Sequence, residues 1–181
     1  GAKTTRNEKQ AQDLIKQGVK EFRSSKFKES MDNFFKASDL APNQEDVYEQ
    51  YGVSLFRHDK FNQAIVVLDL SKPSTKRIPE KNFYIGMSYY KLKDYANAVT
   101  YFDKVMQSKD KNFASTAAFY KGSALIELKQ FDESQKAFQY VLDNSTNPEM
   151  DQRAEKFIEY SLDRKQLEKR RSNWFFIDGV L

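Results

Sequence analysis

The stretch that decides the fold is residues 18–42, GVKEFRSSKFKESMDNFFKASDLAP. It opens on a glycine inside a helical pattern, where glycine costs roughly 1 kcal/mol against alanine. Phe27 follows nine residues after Gly18, Ser30 twelve after, Phe34 sixteen after and Ala37 nineteen after. The same set recurs after Gly52 (Phe61, Ala64, Leu68, Ser71), after Gly86 (Tyr95, Ala98, Phe102, Val105) and after Gly122 (Phe131, Ser134, Phe138, Val141). The glycines are spaced by 34, 34 and 36 residues. A helix-weakening residue that returns in one phase needs a packing reason, which is the close approach of a neighbouring helix. A fixed period of this length marks a repeat architecture.

Each unit reads as a helical hairpin. The first helix carries the glycine. The aromatic nine residues on opens the second helix and fills the space between the two. The small residue three later lets the helices touch, and the large residue four further on shares its face. Short polar turns separate the helices: SSK before Phe27, HDK before Phe61, LKD before Tyr95 and LKQ before Phe131. Pro42 sits where the second helix of the first unit must stop.

These columns resemble the tetratricopeptide repeat, most fully in residues 18–42. The resemblance implies an all-α fold, an α-α superhelical solenoid of four hairpins over 11–44, 45–78, 79–114 and 115–148, followed by a capping helix over 149–172. The early tryptophan position of the family holds Leu14, Tyr48, Asn82 and Ala118 instead. Pro73 and Pro79 break the second repeat early, and the third carries two extra residues near Lys109–Ser115. Residues 149–172 lack the glycine–aromatic–small set. They carry one apolar stripe, Ala154, Phe157, Ile158 and Leu162, fit to cover the exposed end of a repeat stack.

The composition narrows function. The chain has 181 residues, 39% hydrophobic and 31% charged, with mean hydropathy −0.80 and net charge +4. There is no run of about 18 apolar residues, so no helical membrane span is expected. There is no cysteine, and His58 is the only histidine, placed in the HDK turn as a surface residue. Neither a metal site nor a Ser-His-Asp triad follows, no cofactor motif is present, and the chain is read as no enzyme. Lys72, Lys76, Arg77 and Lys81 cluster, but charge this modest without a stacking module does not make a nucleic-acid site. Asn144-Ser145-Thr146 is a glycosylation sequon with nothing else to support its use.

Binding remains. The resemblance implies that the first helices line a concave groove for extended segments. The positions facing it are Val19, Phe22, Val53, Phe56, Phe83, Met87, Tyr90, Phe119 and Ile126, a mostly apolar set that also suits plain packing. The positively charged clamp of chaperone-binding family members is replaced by Ile15 and Val19. A protein or peptide partner with apolar anchors is therefore expected, and an acidic-tail receptor is not.

Both ends stand apart. Residues 1–10 read as a tag remnant and lead-in, since the chain opens Gly1-Ala2. Residues 173–181 hold Trp174, Phe175, Phe176 and Ile177 after the basic run DRKQLEKRR, and read as an extended tail and the start of a β-strand. Such a tail offers self-association with a neighbour's groove. Its layout also resembles bacterial outer-membrane proteins that join a periplasmic tetratricopeptide domain to a β-barrel. That resemblance implies a periplasmic spacer or envelope-component binder.

Overall fold

The structure, a computed structural model, describes residues 5–41, 47–71 and 77–177. All regular structure among them is helical: α1 (Arg6–Arg23), α2 (Phe27–Leu40), α3 (Val47–Arg57), α4 (Phe61–Leu70), α5 (Ile78–Lys91), α6 (Tyr95–Met106), α7 (Lys111–Glu127), α8 (Phe131–Asn144) and α9 (Pro148–Ile177). The chain divides into two compact units, Gly1–Tyr84 and Ile85–Leu181. The glycine columns pair the helices within each.

In the first unit α1 starts at a reciprocal cap. The Glu8 amide donates to Thr5 Oγ1 at 3.1 Å, and the Thr5 amide donates to Glu8 Oε2 at 3.2 Å. A methyl group on Gly18 would lie 2.5 Å from Phe34 Cε2, so only glycine lets α2 seat its ring here. Ser30 donates to the Gly18 carbonyl at 2.7 Å and lies 2.7 Å from the Tyr51 hydroxyl. The Tyr51 ring stacks on Phe34 at 3.5 Å. Thus one column residue, Ser30, ties both helices of the first hairpin to the next one.

In the second unit Gly86 faces Phe102, and Gly122 faces Phe138. The residue met is in each case the one sixteen positions on, which is why those two columns keep phase. Phe102, Phe138, Val105 and Val141 are fully buried. Asp110 caps α7 by accepting from the Asn112 and Phe113 amides. Asn112 in turn holds the loop before α9, accepting from the Thr146 amide at 2.8 Å. α9 then closes the hairpin α7–α8. Ala154, Phe157 and Ile158 join the cluster of Ala118, Phe119, Ile126, Phe131, Phe138 and Val141. Ser161 donates to the Phe131 carbonyl at 3.2 Å, and Lys165 pairs with Asp132 at 2.6 Å.

α1 begins at Arg6, within the expected lead-in, and α7 at Lys111. One correction concerns residues 173–177. α9 continues through Ile177, so residues 173–177 are helical and not an extended strand. No proline or glycine falls between Pro148 and Gly179, and a helix already nucleated extends at little cost through residues of middling propensity. The side chains of Phe175, Phe176 and Ile177, and all of 178–181, lie outside the described residues, as do residues 1–4, Pro42, Lys72, Pro73 and Lys76.

Candidate partner-binding site

The first unit carries two adjoining cavities on the faces of α1, α3 and α5. Ile15, Val19, Phe22 and Arg23 of α1 meet Tyr51 and Ser54 of α3, and His58 of the turn after it, around a cavity of about 300 Å³. A second, of about 450 Å³, is lined by Val53, Ser54 and Arg57 of α3 and by His58, with Arg77, Glu80 and Tyr84. Ser54 and His58 form the wall common to both. Tyr51 and Ser54 stand at i and i+3 on one side of α3, and His58 follows in the turn after the helix.

The cavities differ in chemistry. The first is mainly apolar, floored by the buried Phe22 ring, which meets Phe27, Tyr51 and His58 edge-on at 5.2, 5.7 and 5.3 Å. His58 donates from Nδ1 to the Ser54 carbonyl at 2.8 Å, because a carbonyl can only accept. Burial raises the Tyr51 hydroxyl above 10.0, its Ser30 hydrogen bond opposes this, and Glu21 adds to the rise. Tyr51 therefore stays a neutral donor across the physiological range. The second cavity is polar, with Arg77 paired to Glu80 at 3.7 Å.

The expected groove residues separate by unit. Val19 and Val53 are half-buried in the cavity walls, and Phe22 is buried beneath the first. Phe56 and Phe83 are half-buried, and Phe56 packs edge-on against Phe61 and Tyr84. In the second unit Met87 is buried and Tyr90 half-buried, with the Tyr90 ring against Tyr95 and Tyr120. Burial raises the Tyr90 hydroxyl as well, helped by Tyr95 and opposed by a hydrogen bond from Ser123. Phe119 and Ile126 are only 4% and 1% exposed. Phe157 meets the Phe119 ring edge-on at 5.1 Å, and the Arg153 guanidinium covers it at 4.8 Å. α9 thus occupies the place a partner would take at Phe119, and these two residues belong to the core.

Sequence reasoning missed Tyr51, Arg57 and His58 as wall residues. Tyr51 and Ser54 share a face of α3 at i and i+3, and His58 joins them from the HDK turn, where the sequence places it. Lys81 of the basic cluster is accounted for structurally: it donates to the Ser71 carbonyl at 2.8 Å, at the C-terminal end of α4. Among the described residues no three His, Cys, Asp or Glu side chains could hold a metal ion, and no helix is long and apolar enough to cross a membrane.

Comparison with known proteins bears on one hairpin and on the fold. Residues 82–108, most of the α5–α6 hairpin, match the tetratricopeptide repeat. The fold is an all-α array of helical hairpins, one of which matches the tetratricopeptide repeat. Two solved structures of MamA share it: a point mutant (TM-score 0.57, 19% identity, 86% of this chain and 90% of that one) and MamA AMB-1 (TM-score 0.60, 18% identity, 86% and 84%). At that identity the likeness speaks for the fold alone, an all-α solenoid class of helical hairpins. No curated protein sequence matches the chain. The matched repeat is the third, although the first carries the fullest set of tetratricopeptide columns.

Proposed function

We propose that the chain is a non-catalytic interaction module that holds an extended protein segment against α1 and α3 of its first unit. The observation that carries this reading is the apolar cavity of about 300 Å³ between Ile15, Val19, Phe22 and Tyr51. It is large enough for one aliphatic or aromatic side chain, and burying one would contribute about 1.5–3 kcal/mol. Val53 lines the adjoining cavity, and Phe56 and Phe83 are half-buried in the same unit. The second unit contributes stability through α9 more than binding surface, since Phe119 and Ile126 are enclosed.

The test is selection from a random peptide display library on the whole chain. The wild type is expected to enrich sequences with a large apolar residue. The double variant Val19→Asp/Val53→Asp, checked by circular dichroism for an unchanged melt, should lose at least tenfold in retention. Both positions are half-buried walls, so the carboxylates stay wet while spoiling the apolar pocket. Equal enrichment by the variant would remove this groove from consideration.

A second reading, an envelope spacer held close to a membrane beside a β-barrel, is favoured by one feature, the exposed basic end of α9. Self-association through Trp174, Phe175, Phe176 and Ile177 is the remaining alternative. Sedimentation velocity over a hundredfold concentration range would reveal it as a rise in mass that Trp174→Ser abolishes.

A further inference from the structure

α9 is 30 residues long, but its packing against α8 and α7 does not use all of it. The packed face is Ala154, Phe157, Ile158 and Ser161, continued by Lys165 on Asp132 and by Glu168, which Lys129 reaches at 3.4 Å. Tyr160, Leu167 and Trp174 recur at seven-residue spacing on a different arc, with Arg164 and Arg171 between them. The three apolar groups are 44%, 48% and 58% exposed. Arg164 lies over the Tyr160 ring and donates to its hydroxyl at 2.9 Å.

Charge on this segment is one-sided. From Arg164 to Arg171 there are five cations, Arg164, Lys165, Lys169, Arg170 and Arg171, against the single acid Glu168. Glu168 is drawn toward Lys129 and Arg171. Asp163 and Glu159 stand only at the inner end of the arc. Cations at a helix C-terminus are favourable to the macrodipole in any case. That does not account for the exposed apolar residues alternating with them.

We infer that the segment Tyr160–Trp174 of α9 docks side-on to an anionic lipid surface, with Tyr160, Leu167 and Trp174 entering the headgroup layer and the flanking arginines and lysines meeting lipid phosphates. Charge complementarity and shape both select this occupant. The fifteen residues from Tyr160 to Trp174 present a straight convex edge about 21 Å long. A planar surface can follow that edge along its full length. Basic residues beside an aromatic and aliphatic stripe are the composition of interfacial helices. The inference is independent of the cavity on α1 and α3.

The test uses the whole chain with vesicles of phosphatidylcholine alone or with 30% phosphatidylglycerol. Trp174 is the only tryptophan, so emission excited selectively at tryptophan, past the tyrosine absorption, reports on this helix end. Expected are co-sedimentation with the anionic vesicles, a blue shift of the emission, and loss of both at high salt. Arg170→Gln/Arg171→Gln should weaken vesicle binding roughly thirtyfold, at about a kilocalorie for each charge removed. Lys16→Gln/Lys20→Gln on α1 should leave it unchanged. Binding equal on neutral vesicles, binding indifferent to Arg170 and Arg171, or no binding would each overturn the inference. So would a blue shift that grows with protein concentration in the absence of lipid, which would identify a second copy as the occupant.

Discussion

Two residues of one column show how context sets the sign of a hydroxyl. Ser30 and Ser134 both stand twelve residues after a glycine and both are fully buried. Ser30 donates to Gly18 and meets Tyr51. The Ser134 hydroxyl is buried with no hydrogen-bond partner. Removing a satisfied buried hydrogen bond costs about 1 kcal/mol and strands its partner, whereas removing an orphaned hydroxyl relieves a desolvation penalty of similar size. Ser30→Ala is therefore expected to destabilise by about 1–2 kcal/mol, and Ser134→Ala to be neutral or stabilising by up to about 1 kcal/mol. Urea denaturation of both variants checks this, and equal losses would mean that the column acts through size alone. From the sequence, the column could be read as small but not as hydrogen-bonded. Ser30 has a partner because α3 presents Tyr51 to it.

At the scale of elements, the turns hold a column that composition hid. Ser25, Asp59, Lys93 and Lys129 all lie seven residues after a repeat glycine, and all have positive φ, 62°, 59°, 62° and 59°. Each turn closes its helix in the same way. The Lys93 amide donates to Tyr90 and the Asp94 amide to Tyr89, and the other three turns repeat both bonds. This is the left-handed helix end that glycine ordinarily occupies, and here no glycine does. The hairpin pattern was legible because large side chains and glycines mark it; the turn geometry was not, because Ser, Asp and Lys give no sign of a left-handed backbone. A non-glycine residue there costs about 1 kcal/mol or more. Lys93→Gly is expected to stabilise by about 0.5–1 kcal/mol, less the greater freedom glycine gives the unfolded chain. Its thermal midpoint should rise by a few degrees, and a fall would show that Lys93 has a role beyond the turn. The same blindness to backbone continuity affected the end of α9, where aromatic residues were read as strand although nothing in the chain stops the helix before Ile177.

At the scale of the molecule, the question is what ends a repeating structure. A hairpin buries one face on its predecessor and leaves the next exposed, so the last needs a cover. α9 supplies it with Ala154, Phe157, Ile158 and Ser161, none of which follows the repeat columns. The need for this cover was legible from the missing glycine set and the apolar stripe. That the cluster it joins would also enclose Phe119 and Ile126 was not, because the repeat columns do not show which side chains the cap will meet. Phe157→Ala removes the ring packed on Phe119 and Phe138, at 5.1 and 5.6 Å, from a half-buried position. The expected loss is about 2–3 kcal/mol, below the 3–5 typical of a fully buried phenylalanine. Ending the chain before Pro148 should do more, exposing Phe119, Ile126 and Phe138 together and giving a protein that binds a hydrophobic dye and aggregates. The two variants separate the possibilities. If Phe157→Ala lowers stability while the truncated chain aggregates, α9 is the closing element of the fold. If the truncated chain melts cooperatively as a monomer with the parent's midpoint, α9 is an appendage, and the Phe119 face would then be open to a partner after all.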